Sequence, residues 1–407
     1  MNENIQVSAS SHIGMARDAN EDSYYVDEEM AIYAVADGVG GGRAGDVASR
    51  VFCEVIREHR DMFRAVLSQP LQNTENRNEA MSLMSTLFNV ASERIFRLSE
   101  SHENYRGMST TGLVMAMGHG GAIVGHVGDS RAYLLEGENV RRLTVDHTLA
   151  QELIQQGLLS EEEYDTFQYR NVLARAIGQF PSVRVDSLWL DLSLGDSVLL
   201  ATDGLYKHLS PSDAPELIKN GVEWAIDLAN QRKGDDNLTG ILVQLPLAQM
   251  KERRLDTTEK AHLLSSLILF QYLNYQELLQ VLNSVVEIQF VDGQPVFQEG
   301  EMGDALYMVF SGAVSVQKNG NELTRIGTSG HFGEVAFMDG GTRSANVIAV
   351  GDTSLLAVQR DEFLKLTRKH PQIAAKILWT FTLNLADRLR ELSTDVVIQA
   401  ENSISSI

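Results

Sequence analysis

Ala31-Ile32-Tyr33-Ala34-Val35-Ala36 is an apolar run of strand length, and it stops on Asp37-Gly38. The same ending recurs twice: Ala122–Val127 leads into Gly128-Asp129-Ser130, and Ser197–Ala201 into Thr202-Asp203-Gly204. A fourth acidic turn is Asp235-Asp236-Asn237. Carboxylates at the ends of buried strands can meet although they are far apart in sequence, and they cannot stay ionised together without a cation. The pattern therefore predicts a divalent-metal site. Arg17, in Arg17-Asp18-Ala19-Asn20-Glu21-Asp22, adds a group suited to gripping an anion beside that metal. Metal plus arginine points to phosphate.

Working outward, Gly112–Met117 and Arg131–Leu135 read as further strands, while Asp46–Arg60 and Glu79–Leu98 carry apolar residues at helical spacing. With 407 residues the chain exceeds one ordinary core. Near residue 246 its character changes. Leu247–Glu259, with Lys251-Glu252-Arg253-Arg254, reads as part of a helical connector over 247–262. From Val285 to Val358 short β-like runs alternate with turn signals at Asp292-Gly293, Asn319-Gly320, Gly340-Gly341 and Gly351-Asp352, the cadence of an antiparallel barrel or jelly roll. Gln372–Leu392 closes the domain with a stripe of Ile373, Ile377, Phe381, Leu385 and Leu389. The expected class is α+β, with domains at 1–246 and 263–407. A net charge of -21 argues against nucleic acid as a partner. A single cysteine, Cys53, suits a reducing compartment, and without a signal-like start or a run of about 18 apolar residues the expectation is a soluble, cytoplasmic protein with no membrane partner.

Taken in order, Gly14, Arg17, Asn20-Glu21-Asp22, Val35-Ala36-Asp37-Gly38-Val39-Gly40-Gly41, Ser109-Thr110-Thr111-Gly112, His126-Val127-Gly128-Asp129-Ser130-Arg131, Ala201-Thr202-Asp203-Gly204 and Gly234-Asp235-Asp236-Asn237 resemble the metal-dependent protein serine/threonine phosphatases of the 2C type, the PPM family, particularly its bacterial members. The resemblance covers 5–246 and implies an αββα sandwich that acts on phosphorylated Ser/Thr proteins. It implies that Asp37 bridges two Mn²⁺ or Mg²⁺ ions. The Gly38 carbonyl and a water-mediated contact from Glu21 would serve one ion, and Asp203 and Asp236 the other. Asp129 with Asp203 would hold a third ion, Arg17 would bind the substrate phosphate, and Asp22, Ser130 and Asn237 would orient the ligands.

Oxygen-rich ligands suit hard cations, and water bridging two such ions about 3.5–4 Å apart becomes a hydroxide able to attack phosphorus in line. Val39 stands where animal members of the family have a histidine proposed to protonate the leaving group, so the residues assign no general acid. Cysteine catalysis is excluded by spacing, since a phosphatase loop needs arginine six residues after the nucleophile and His59 stands there. Cys53, His126 and His147 are expected to be structural. Asp146–Arg175 resembles the family's flap, with Asp146-His147-Thr148 opening a helix, Glu161-Glu162-Glu163 starting another, and Arg170-Asn171-Val172-Leu173 returning to the core.

In the second half, Phe332-Gly333-Glu334-Val335-Ala336 followed by Arg343-Ser344-Ala345 resembles the phosphate-binding cassette of cyclic nucleotide-binding domains, over about Leu263 to Leu392. A cyclic phosphate needs donors and a countercharge. Gly333 and the amides of Glu334, Val335 and Ala336 can supply the first, and Arg343 the second, while Glu334 can accept from a ribose hydroxyl and Ser344 can add a hydroxyl. The Arg-Ser-Ala form resembles bacterial cAMP receptors and favours cAMP over cGMP. The closing helix leaves three readings open: packing on its own barrel, moving as a lid, or pairing with a second chain to form a homodimer. A regulated phosphatase is the reading favoured over an idle phosphatase scaffold and over a transcription regulator, because the tail after Leu392 is too short for a helix-turn-helix domain.

Overall fold

Side chains alternate along the Ile32–Val39 strand, and that alternation sorts two layers. Ile32, Ala34 and Ala36 enter a buried cluster with Phe52, Ile56, Met84 and Phe88 from the helices Gly45–His59 and Thr74–Ser101. Tyr33, Val35 and Asp37 lie on the opposite face, toward a second sheet. The computed structural model describes residues 5–39, 44–71, 73–136, 139–245, 257–383 and 386. They divide into two units, Met1–Thr257 and Thr258–Ile407. Gly40, Gly41, residues 247–256 of the expected connector, Leu385 and Leu389 lie outside the described residues.

The strands of the first unit are β1 (Gln6–His12), β2 (Asp22–Asp27), β3 (Ile32–Val39), β4 (Ser109–Thr110), β5 (Gly112–Gly118), β6 (Gly121–Val127), β7 (Arg131–Glu136), β8 (Asn139–Arg142), β9 (Asp186–Leu190), β10 (Ser197–Ala201) and β11 (Leu238–Gln244). One sheet has the order β2-β3-β5-β6-β9, with β4 added to β3; the other runs β1-β11-β10-β7-β8. Every strand pair within these sheets is antiparallel. The Ala214–Arg232 helix covers the second sheet through Leu217, Val222, Ala225 and Ile226, completing an αββα sandwich. Antiparallel order has a direct consequence. In the first sheet the ends of β3 and β6 and the start of β2 share one edge; in the second, so do the end of β10 and the start of β11.

The second unit is an antiparallel roll of β12 (Val285–Phe290), β13 (Pro295–Phe297), β14 (Ala305–Lys318), β15 (Asn321–Gly327), β16 (His331–Phe332) and β17 (Asn346–Gln359). Its core holds Phe297, Tyr307, Val309, Phe332, Val347 and Leu355. Helices Tyr275–Leu282 and Arg360–Lys369 flank it, and 371–383 is helical. Asn274 and Glu277 cap the first of these reciprocally.

Two local readings are corrected. Asn319-Gly320 is the tight turn expected between β14 and β15, with both residues at positive φ, but Gly351-Asp352 is no turn. β17 runs through it, and Gly351 at φ 71 lies where the register with β14 shifts, so the glycine serves a bend in a long strand. Glu161-Glu162-Glu163 starts no α-helix either. Glu163 takes hydrogen bonds from the Ser160 amide and hydroxyl, which close a turn followed only by a 3₁₀ turn at Tyr164–Thr166. Among the described residues no helix is long and apolar enough to cross a membrane.

Phe52 and Phe88 meet edge to face at 5.2 Å between the two covering helices. Phe88→Ala is expected to destabilise the first unit by about 3–5 kcal/mol. Urea unfolding in a Trp379→Phe background, where Trp189 and Trp224 are the remaining fluorophores, measures it. An unchanged midpoint would contradict the packing.

Candidate functional site

Asp37 ends β3, Asp129 follows β6, Asp203 follows β10, Asp236 precedes β11 and Glu21 precedes β2. The shared edge brings all five together with Arg17 and Gly38 around one cleft of about 740 Å³. Asp22 sits directly opposite Asp37 in the β2–β3 ladder.

Buried hydrogen bonds hold these groups in place. Asn237 donates to the Ile13 and Ala19 carbonyls (2.8 and 3.0 Å) and accepts from the Glu21 amide (2.8 Å), so one side chain fastens both ends of the loop that carries Arg17. The hydroxyls of Ser130 and Thr111 are 2.7 Å apart, and Thr111 accepts from the Asp37 amide at 2.9 Å. Thr202 donates to Asp22 at 2.8 Å. Glycine is required at two crossings: a Cβ on Gly38 would stand 2.2 Å from the Gly45 carbonyl oxygen, and one on Gly204 2.1 Å from that of Asn237. Gly204 thereby lets the Asp203 and Asp236 turns approach.

Charge is what the cleft concentrates. Burial, then the charges of Asp22, Asp203 and Asp129, holds the Asp37 carboxyl well above the usual carboxylate range, and its hydrogen-bonding contact with Asp203 pushes the same way. Burial pushes Asp22 up to about 7, against hydroxyl donation from Thr239 and Thr202 and with the help of Asp203 and Asp236. Asp129 is likewise raised to about 7 by burial, then by Asp203 and Asp146. Burial also raises Glu21, with Arg17 opposing. Among the described residues no group of three or more His, Cys, Asp or Glu side chains is gathered tightly enough to hold an ion as placed. Two side-chain cations occupy carboxylates of the set: Arg17 donates to Asp236 at 2.9 Å, and Lys207 donates to Asp203 at 2.6 Å. The donors still fit a hard divalent cation, being all oxygen and including two carboxylates in contact that only a proton or a cation can reconcile.

His126 and His147 are buried, with ring centres 4.2 Å apart, and burial lowers the pKa of both. His147 accepts from the Gly128 amide and contacts Asp186, a packing role beside the Asp129 turn. Cys53 is buried and free. Asn171, Val172 and Leu173, the returning limb of the flap-like segment, line the cleft, and Thr148 caps the Leu149–Gln155 helix as its sequence suggests. Lys207 was not legible as a site residue. Its signal lies in spacing alone, four residues after Asp203 in the turn that Asp203 begins.

In the second unit Gly333, at φ 84, precedes the short helix Glu334–Asp339; Val335 is exposed and Ala336 buried. Ser344 is exposed. The Arg343 side chain is 1% exposed, donates to the carbonyls of Gly333 (3.1 Å) and Ala305 (2.8 Å), reaches Asp304 at 3.2 Å and lies 4.2 Å over the Phe297 ring. The cassette residues are thus adjacent, with the guanidinium turned into the roll.

Residues 11–242 match the protein phosphatase 2C family and residues 287–370 match the cyclic nucleotide-binding domain. The serine/threonine phosphatase stp of Listeria monocytogenes is 32% identical over 245 residues, covering 58% of this chain and 94% of the relative. Protein phosphatase PhpP of Streptococcus pneumoniae is 31% identical over 250 residues, covering 59% and 98%. Among solved structures, the S. agalactiae serine/threonine phosphatase is similar at 29% identity and a TM-score of 0.51, over 60% of this chain and all of that one. The catalytic domain of the phosphatase PstP, in complex with two manganese ions, is similar at 26% identity and a TM-score of 0.50, over 60% and 98%.

Asp22 and Asp129 hold protons up to about pH 7 in the folded chain, against an ordinary value of 3.8. The folded state therefore binds more protons than the unfolded one between those limits, and stability falls as pH rises through that window. In EDTA the Tm of the first unit is expected to drop from pH 5 to pH 8, less steeply in Asp22→Asn, and Mn²⁺ to raise it more at pH 8 than at pH 5. Scanning calorimetry reads both; slopes identical in the two proteins would refute the Asp22 contribution.

Proposed function

The chain belongs to the protein phosphatase 2C family, is a protein serine/threonine phosphatase and carries a cyclic nucleotide-binding domain; from that premise we propose that Mn²⁺ or Mg²⁺ at Asp37 drives its catalysis and that a cyclic nucleotide, cAMP before cGMP, sets its rate. The observation that carries the catalytic half is the gathering of Glu21, Asp37, Asp129, Asp203, Asp236 and Arg17 at matching strand ends around one cleft. Asp37, with the Gly38 carbonyl and Glu21 on one side and Asp203 and Asp236 on the other, would hold two ions. The chemistry that such ions supply is activation of a water for in-line attack on phosphorus. Arg17, 51% exposed at its side chain and hinged on a loop, would leave Asp236 for the non-bridging oxygens of a phosphoserine or phosphothreonine. Asn237 fixes how far that arginine reaches, and the Ser130–Thr111 hydroxyl pair fixes the backbone that aims Asp37. The ester oxygen–phosphorus bond would break as water's oxygen joins phosphorus; a proton from that water would end on the leaving oxygen, giving the serine or threonine hydroxyl of the substrate protein and inorganic phosphate.

Regulation is supported by two sites in one chain, and cAMP by the sequence Arg343-Ser344-Ala345 beside Glu334. A cytoplasmic setting is supported by Cys53, which is free and buried. The inward-turned Arg343 favours a second reading, in which the roll docks or dimerises without a ligand.

Asp37→Asn and Asp203→Asn are each expected to lower Mn²⁺-dependent phosphate release from a phosphothreonine peptide at least about 100-fold, and Arg17→Ala to act mainly on KM. Full activity in either Asn variant would sink the metal assignment. Calorimetric titration of the full chain is expected to show cAMP binding more tightly than cGMP, and saturating cAMP to change kcat or KM. No heat with either nucleotide would decide for the docking reading.

A further inference from the structure

Lys207 stands behind the cleft lining, against Asp203, with no part in the reaction described so far. It follows the Asp203–Tyr206 turn, and its ammonium donates to Asp203 Oδ2 at 2.6 Å. The charges of Asp129 and Asp236 act on the same ammonium. Asp129, in turn, feels both Asp203 and Lys207, so the ammonium bound to Asp203 bears on both carboxylates. Arg17 also meets a carboxylate of the set, but from a separate loop that can swing away; Lys207 is four residues on in the turn that Asp203 itself begins, and the two move together.

Resting on the two-ion reading above, we propose that Lys207 is a positioning residue that takes the place of a third divalent ion between Asp129 and Asp203, leaving this phosphatase a two-ion enzyme. An ammonium offers one charge and three donors, with no demand on ligand geometry, and it repels any divalent ion brought to the same oxygens. It holds Asp203 toward Asp37 without requiring Mn²⁺ at that corner. The oxygens of Asp129 and Asp203 then become a divalent site only when the ammonium is removed.

Equilibrium dialysis against Mn²⁺, with calorimetry on the full chain, tests this without reference to activity. Wild type is expected to bind two ions, and Asp129→Asn to leave that number unchanged. Lys207→Met and Lys207→Gln are expected to bind a third ion, which Asp129→Asn then abolishes, while Lys207→Arg stays at two. The Lys207 side chain is 42% exposed, so these variants are expected to fold, and circular dichroism verifies it. Three ions in wild type, one of them lost with Asp129, would overturn the proposal, as would a Lys207→Met chain that stays at two. A wild type that takes up no Mn²⁺ removes the two-ion reading and this inference with it, and that outcome is distinct from the other two.

Discussion

Mutual repulsion among carboxylates at one edge of the sandwich is the constraint on which the rest of the first unit turns. Antiparallel pairing carries Asp37, Asp129, Asp203 and Asp236 to that edge, and burial, fullest at Asp129 and partial at the others, thins the water that would screen them. Every neighbouring device answers this pressure. Hydroxyls from Thr202 and Thr239 are spent on Asp22, Arg17 and Lys207 are drawn to Asp236 and Asp203, and Asp37 and Asp203 are left in contact. Charge crowded in this way is relieved by a proton as by a cation, which makes the edge sensitive to pH.

The second unit meets charge in the opposite way. Arg343 is a cation buried in an apolar roll, and it is kept there by backbone carbonyls, by the face of Phe297 and by Asp304, an exposed acid. Carbonyl oxygens are weaker partners than a phosphate, and Arg343 Nε is buried without a partner among the described residues, so the guanidinium is held yet open to exchange. One chain thus crowds acids at a sheet edge and buries a cation in a roll.

Much of this was legible because strand ends announce themselves. Ser197–Ala201 runs over the residues that its apolar content indicates, and the acidic residue after each run locates the site. Glycine was harder to read. Asn319-Gly320 makes a turn, whereas Gly351 bends a continuous strand, and the difference lies in what β14 does opposite it. Arg343 reads in the sequence as a candidate anion ligand, but the direction of its side chain depends on Phe297 and on a carbonyl 38 residues earlier. Lys207 was silent for a similar reason: its meaning appears only once a helical turn begins at Asp203 and Asp129 arrives from another strand.

The pairing of β1 with β11 joins Gln6 to Gln244 and His12 to Leu238. During synthesis the first of these strands leaves the ribosome long before its partner exists. At about 5–20 residues per second the delay is on the order of ten to fifty seconds. For that interval Gln6–His12 has an unsatisfied edge, and the loop bearing Arg17 lacks the Asn237 amide that ties it down. Arg17 is among the first residues made and among the last to be set, so the cleft of a nascent chain is complete only when its sandwich closes.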